Sequence, residues 1–147
     1  MSKIGMIYAS MTGNTEEMAE LIAGSIREQG LEIEVKEVWN AKAVDLVEYD
    51  AILLGAYTWG DGDLPDEFLD FYDEMDGLDL SGKKAAVFGS GDTSYPMFGE
   101  AVETLTKKLQ SLGAEIVVEG LKIELSPGDK EIEECKEFGA TFAQKLG

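Results

Sequence analysis

Three short, nearly continuous apolar runs constrain the fold of this chain most strongly. They span residues 3–9, 50–57 and 83–89, and each has the length and composition of a strand that is covered on both faces. Stretches with apolar residues at helical spacing follow them, and glycines such as Gly30 and Gly113 end two of these stretches. Strands and helices are thus predicted to alternate five times, which favours right-handed crossovers and a parallel sheet with helices on both faces.

The remaining elements have weaker patterns. Residues 31–39 alternate between apolar and charged, which predicts a strand nearer an edge, with Trp39 packed on its apolar face. A helix is predicted from about residue 66 to 75. Its inner face is predicted to carry Phe68, Leu69 and Tyr72. Residues 114–118 are predicted to supply the last strand region, and 121–125 is an optional second part of it.

The closing helix is predicted to run from about residue 130 to 146. Cys135 lies on its apolar stripe, so we interpret it as a core residue and not as a reactive thiol. A single cysteine cannot form an intramolecular disulfide and fits a reducing compartment.

Length and composition predict one domain spanning residues 1–147, since 147 residues with 44% hydrophobic content allow one core but not two ordinary ones. No apolar run is long enough to cross a bilayer, and residues 1–3 lead into the first strand without a signal-peptide pattern. We therefore expect a cytoplasmic protein.

The charge excludes several classes of partner and chemistry. Thirty acidic and twelve basic residues give a formal charge of −18, which disfavours nucleic acid and anionic membranes and favours basic protein surfaces. The acidity also has a simpler interpretation, in which it confers solubility alone. The chain contains no histidine, which excludes catalytic triads, histidine acid–base catalysis and most zinc or copper sites.

Three segments of unusual composition follow the apolar runs, at residues 10–15, 58–65 and 90–99. In parallel sheets ligands bind where the carboxyl ends of the strands meet. The first segment is Ser10-Met11-Thr12-Gly13-Asn14-Thr15. It resembles a phosphate cradle of neutral donors at a helix N-terminus, without the lysine of a P-loop. The alternative is that its hydroxyl groups only cap the helix.

The other two segments add two aromatic residues, Trp59 and Tyr95, with several glycines and carboxylates. No nucleophile paired with a base accompanies them. Together the segments predict a site for a flat, phosphorylated molecule held between the two aromatic rings. Each ring considered separately could instead be a hydrophobic plug.

The whole chain resembles the short-chain flavodoxins. The matching segments are 10–15 for the phosphate loop, Thr58-Trp59-Gly60-Asp61 for the first flavin loop and Ser90-Gly91-Asp92-Thr93-Ser94-Tyr95 for the second. The resemblance implies a flavodoxin-like three-layer α/β sandwich, whose five-stranded parallel sheet has the family's known order 2-1-3-4-5 with FMN at the switch point.

The resemblance also implies a function. The chain would be a monomeric, low-potential one-electron carrier with non-covalent FMN, cycling mainly between semiquinone and hydroquinone. Its partners would be basic redox proteins, a flavodoxin reductase or similar donor and a low-potential acceptor. The implied cofactor-binding residues are Ser10, Met11, Thr12, Gly13, Asn14, Thr15, Thr58, Trp59, Gly60, Asp61, Ser90, Gly91, Asp92, Tyr95 and Phe98.

Individual roles follow from the same resemblance. Trp59 would cover one flavin face, Tyr95 would cover the outer face, and Asp92 would lie near the pyrimidine edge. The Gly60 carbonyl would turn toward flavin N5. Position 11 is Met where many relatives carry a small or hydroxyl residue, which leaves the phosphate contacts to the neighbouring hydroxyl and N–H groups.

Three other functions compete with this interpretation. A receiver-type signalling domain shares the architecture, but it needs acidic residues after the first strand and an aspartate ending the third. Ser10-Met11 and Tyr57-Thr58 occupy those places. A flavin enzyme acting on quinones or azo compounds, and a non-redox anion-binding module, remain alternatives.

Overall fold

The computed structural model describes residues 3–9, 13–57, 64–91, 100–124 and 128–146. They form a parallel sheet with helices on both faces, in the strand order β2-β1-β3-β4-β5, and β6 also pairs with β4. The strands are β1 Ile4–Tyr8, β2 Ile33–Glu37, β3 Ala51–Tyr57, β4 Lys84–Gly91, β5 Glu115–Ile116 and β6 Leu121–Glu124. The α-helices are α1 Asn14–Glu28, α2 Asp66–Glu74, α3 Glu100–Ser111 and α4 Asp129–Leu146. The predicted order 2-1-3-4-5 is confirmed.

The described sheet has six strands instead of the predicted five, because the last strand region consists of two pieces. β5 pairs with the start of β4, where Glu115 lies opposite Lys84. β6 pairs with the end of β4, where Leu121 lies opposite Phe88. Both pieces therefore extend the same side of β4.

The connection from β2 to β3 departs from the predicted alternation of strands and helices. It contains two 3-10 helices, Val38–Asn40 and Ala43–Glu48, and no α-helix. Ala43, Leu46 and Tyr49 are buried there at intervals of three residues. That interval matches the three residues per turn of a 3-10 helix, so the sequence period fits the observed structure.

Two predicted core residues prove to be exposed. Trp39 is 68% exposed, because β2 ends at Glu37 and its alternation does not continue into the 3-10 helix, where Val38 is the buried residue. Leu69 is 42% exposed, whereas Phe71 is buried. A helix advances about 100° per residue, so Phe71 shares the inner face with Phe68 and Leu69 does not.

Two apolar layers cover the two faces of the sheet. One joins the sheet to α1 and α4, and the other joins it to α2, α3 and the 3-10 helices. Successive residues of β1 alternate between them, since Met6 belongs to the first layer and Ile7 to the second. Cys135 is fully buried in the first layer, which confirms its predicted core position.

α1 and α4 approach each other closely at Gly139. A Cβ atom at this position would lie 2.6 Å from the Ile22 carbonyl oxygen and 3.0 Å from the Cβ of Ser25. Both neighbours belong to α1. Glycine is therefore required at position 139 for the close packing of α4 against α1. The first predicted site segment leads into α1.

Candidate cofactor site

The carboxyl ends of β1, β3 and β4 meet at one edge of the sheet. Near the ends of the strands, Tyr8 lies opposite Gly55 and Tyr57 lies opposite Ser90. The Ala9 N–H group extends the ladder by donating to the Gly55 carbonyl oxygen at 3.0 Å. The strand ends from which the three predicted segments continue are therefore neighbours, as predicted.

Only part of the predicted site lies within the described residues. The described members are Gly13, Asn14, Thr15, Ser90 and Gly91. The predictions for Ser10, Met11, Thr12, Thr58, Trp59, Gly60, Asp61, Asp92, Tyr95 and Phe98 lie outside the described residues. Ser90 and Gly91, which were predicted in a loop, belong to β4. β6 pairs with this end of β4, and Gly91 lies opposite Glu124.

The N-terminus of α1 is built around Gly13. Gly13 is the N-cap, its φ of 89° lies in the left-handed region, and no side-chain cap hydrogen bond is present. Glycine reaches this conformation without a Cβ clash. Its carbonyl accepts from the Glu17 N–H group at 2.9 Å. Because the N-cap residue carries no hydroxyl, the simple capping interpretation does not account for Thr15, which lies one residue inside the helix.

Thr15 instead forms a hydrogen bond across the sheet edge. Its Oγ1 atom lies 2.7 Å from the Oγ atom of Ser90, 75 residues away, and either atom could be the donor. The two residues are 1% and 2% exposed. The bond joins the first turn of α1 to the carboxyl end of β4, and both residues are almost fully buried.

Two tyrosines that the sequence analysis did not single out also join strand ends to helix starts. The Tyr8 hydroxyl donates to Glu16 at 3.3 Å, and the Tyr57 hydroxyl donates to Glu67 at 2.8 Å. Burial raises the pKa of Tyr8 to about 12, and the Glu16 carboxylate contributes. Burial and Glu67 likewise raise the pKa of Tyr57. The sequence signal that could identify these two pairs is a tyrosine near a strand end, followed by an acidic residue eight or ten positions later.

Comparison with known proteins decides the family. The family model described as Flavodoxin matches residues 6–139. The chain belongs to the flavodoxin family. It is 48% identical over 153 aligned residues to the probable flavodoxin 2 of Bacillus subtilis (strain 168), covering 100% of this chain and 98% of that protein.

Solved structures agree with this assignment. The oxidised flavodoxin 1 of Bacillus cereus has a TM-score of 0.97 and 60% identity, covering 99% of this chain and 100% of that one. A short-chain flavodoxin associated with a non-canonical PDU bacterial microcompartment has a TM-score of 0.95 and 32% identity, covering both chains fully. The chain is a short-chain flavodoxin, and flavodoxins are electron-transfer proteins that bind FMN non-covalently.

The described residues fit the phosphate of FMN. The start of α1 offers the positive end of a helix dipole, and Thr15 adds a hydroxyl group. The sequence has no Lys or Arg between Lys3 and Arg27, so the donors that this stretch itself supplies are neutral. Of the first-turn acids, Glu16 accepts the Tyr8 hydroxyl. A flavodoxin with this donor set would hold a phosphate by hydrogen bonds and not by ion pairs.

A groove of about 450 Å³ lies beside α2. Its lining consists of Val38, Trp39, Ala41, Asp66, Glu67, Asp70, Phe71 and Glu74. Trp39 forms an exposed aromatic wall, and the helix forms an acidic wall. A larger hollow of about 690 Å³ lies at the amino ends of β1 and β2, beside Lys3 and Arg27, which is the sheet edge opposite the predicted site.

The described part of the chain contains no group of three or more His, Cys, Asp or Glu side chains that could hold a metal ion. Within the same residues, no helix has both the length and the apolar character that crossing a membrane requires.

Proposed function

We propose that this flavodoxin is a low-potential one-electron carrier that shuttles electrons between redox proteins, cycling mainly between the semiquinone and hydroquinone of its FMN. The proposal includes a single FMN-binding domain over residues 1–147, a monomer in the cytoplasm, and no substrate turnover of its own. The observation that carries it is the neutral donor end of α1 at the carboxyl edge of the sheet.

The proposed phosphate contacts are the hydroxyl groups of Ser10, Thr12 and Thr15 and the N–H groups of residues 10–15. Trp59 and Tyr95 are proposed to enclose the flavin ring, with Asp92 near the pyrimidine edge. Thr15 supports this assignment because it lies in the first turn of α1, at the carboxyl edge of the sheet. The other members of the site are proposed from the family's motifs.

Bound FMN supplies a centre that gives or accepts one electron at a time. The chain sets the potential by binding the redox states unequally, since a tenfold difference in affinity moves a one-electron potential by about 59 mV. Asp61, Asp63 and Asp92, which are the acids nearest the flavin segments in the sequence, oppose further negative charge. The absence of a cation in the 10–15 segment acts in the same direction. Both features support a low second potential.

Gly60 is proposed to follow the protonation of flavin N5 by turning its carbonyl toward that nitrogen. Glycine permits the turn because positive φ carries no Cβ penalty. Replacing Gly60 with Ala should lower the first reduction potential, measured by spectroelectrochemical titration. An unchanged potential would remove Gly60 from the mechanism.

The proposed docking surface is the outer face of α2 together with the Trp39 groove, and its proposed partners are the basic faces of a reductase-like donor and a low-potential acceptor. Five of the nine residues of α2 are acidic, and the sequence contains no Lys or Arg between Lys42 and Lys83. A surface with a strong excess of one sign of charge attracts an oppositely charged partner and speeds the encounter.

Salt dependence tests this surface with matched variants. Glu74→Gln removes a carboxylate that lines the groove, whereas Glu133→Gln removes an exposed carboxylate from α4. The rate of electron transfer to a lysine-rich c-type cytochrome should fall at low salt in the first variant and less in the second. Equal effects, or a wild-type rate that does not respond to salt, would contradict the proposed docking surface.

The absorbance spectrum of the purified protein during stepwise reduction tests the function itself. A yellow oxidised protein should become blue as one electron is added and pale as the second is added. A colourless protein that ignores added FMN would refute the proposal.

A further inference from the structure

The buried hydroxyl groups of Thr15 and Ser90 are hydrogen-bonded to each other, and the cofactor site alone does not explain this bond. Apart from tyrosines, the buried polar side chains among the described residues are Thr15, Ser25 and Ser90, and two of these three are bonded to each other at 2.7 Å. Ser90 lies on a strand and Thr15 on a helix, so the pair is made by the fold and not by local sequence.

The pair contains more protons than its own hydrogen bond uses. Each hydroxyl group has one proton to donate and two lone pairs that accept. One proton lies between the two oxygen atoms, and the other proton remains for a second acceptor. Which residue keeps that second proton depends on which one is the donor of the bond.

The direction of the bond decides what Thr15 can offer to an anion. If Ser90 donates, Thr15 keeps its proton and can donate it to a phosphate at the head of α1. If Thr15 donates to Ser90, its oxygen can present only lone pairs to the anion, which is repulsive. A bound phosphate therefore selects the arrangement in which Ser90 is the donor.

We infer that Ser90 is a positioning residue for the FMN phosphate, which acts by donating its proton to the Thr15 oxygen and so orients the Thr15 hydroxyl with its own proton toward the phosphate. The inference rests on the proposed phosphate contact of Thr15. It differs from the sequence prediction, in which Ser90 binds the cofactor itself. Burial strengthens the effect, because little water competes for these two hydroxyl groups.

Comparison of two flavins tests the inference, since riboflavin lacks the phosphate of FMN. The full chain and its Ser90→Ala variant are titrated with each flavin, and binding is followed by quenching of flavin fluorescence. The variant should bind FMN about tenfold more weakly and riboflavin unchanged, as expected for the loss of about one hydrogen bond. An equal loss for both flavins, or no loss for FMN, would overturn the inference.

Ser25→Ala is the matched control. The Ser25 hydroxyl is also buried and donates to the Lys136 carbonyl oxygen at 2.5 Å, but it lies between α1 and α4. This variant should leave the ratio of FMN to riboflavin affinity unchanged. A change as large as that of Ser90→Ala would mean that any buried hydroxyl of this fold alters the ratio, which would contradict a specific role of Ser90.

A double-mutant cycle tests whether Ser90 acts through Thr15. In a Thr15→Val background, Ser90→Ala should cause no further loss of FMN affinity, whereas independent contacts would give additive losses. If Ser90→Ala does not fold, Ser90→Cys keeps the shape of the side chain with a slightly larger atom and a weaker donor, and it should lower the same ratio. A wild-type chain that fails to bind FMN would refute the proposed function, whereas a wild-type chain that prefers FMN with additive mutational losses would refute only the role of Ser90.

Discussion

Replacing Trp39 with Ala separates docking from folding, because most of this side chain is available to a partner. A tryptophan side chain can bury about 150–250 Å². With 68% of Trp39 exposed, roughly 100–170 Å² remain for a partner to cover, which corresponds to at most about 2.5–4 kcal/mol at about 25 cal/mol per Å². A lysine or arginine over the ring would add about 0.5–1 kcal/mol at an exposed site.

The part of the Trp39 side chain that is already buried in the folded protein sets the loss of folding stability in Trp39→Ala. The remaining third of the side chain, roughly 50–80 Å², contributes about 1–2 kcal/mol by the same coefficient, and this is an upper estimate. Val44→Ala is the control, since Val44 is 56% exposed on the neighbouring 3-10 helix and does not line the groove.

Stopped-flow reduction of a lysine-rich c-type cytochrome supplies the assay. Trp39→Ala should raise the half-saturating cytochrome concentration by about tenfold or more, because each 1.4 kcal/mol is about tenfold in affinity. Its FMN spectrum should be unchanged, and Val44→Ala should behave like the wild type. A half-saturating concentration within twofold of the wild type in Trp39→Ala would refute the role of this ring as an anchor.

Three further predictions concern the body of the fold. Gly139→Ala should destabilise the protein by about 1–3 kcal/mol in urea unfolding, since its methyl group would overlap the Ile22 carbonyl; stability within 0.5 kcal/mol of the wild type would contradict the close approach. Burial raises the pKa of the Cys135 thiol to about 12, so a thiol reagent should label it only as fast as the protein unfolds, and rapid labelling of native protein would contradict its burial. The pKa of Tyr8 is about 12 in the folded state against 10.0 for the free side chain, so its contribution to stability is complete below pH 10 and is lost as the pH rises to about 12. Tyr8→Phe should flatten this alkaline loss in unfolding titrations, and an unchanged pH dependence would assign the loss to other groups.

The sequence predicted the buried strands well because their apolar signal does not depend on distant residues, whereas the sheet order came from the family resemblance and not from any local pattern. The connection between β2 and β3 is harder to predict from the sequence. Its buried residues recur every three positions, at Ala43, Leu46 and Tyr49, and this period is easily missed beside the longer helical patterns. The alternating pattern places Trp39 in the core because it does not reveal the residue at which the strand ends.

The site could be predicted as a set of segments but not as a set of contacts. Thr15 and Ser90 are both named by the sequence motifs, yet their hydrogen bond joins positions 75 residues apart. No local pattern specifies which of two hydroxyl groups faces a ligand and which supports the other. The register of β4 beside β3 carries Ser90 to the end of the sheet opposite Tyr57, where it meets Thr15 in the first turn of α1.

The acidic face of α2 and the neutral donors at α1 have different electrostatic ranges. Charges in water are screened over about 8 Å at physiological ionic strength, whereas partly buried groups are screened much less. Asp70, Asp73 and Glu74 are exposed, so their effect on an approaching partner should diminish as salt rises. The Thr15 and Ser90 hydroxyl groups are buried, so their effect on a bound phosphate should persist at high salt. Salt therefore separates the two tasks: it should weaken the encounter with a basic partner while leaving the preference for FMN over riboflavin in place.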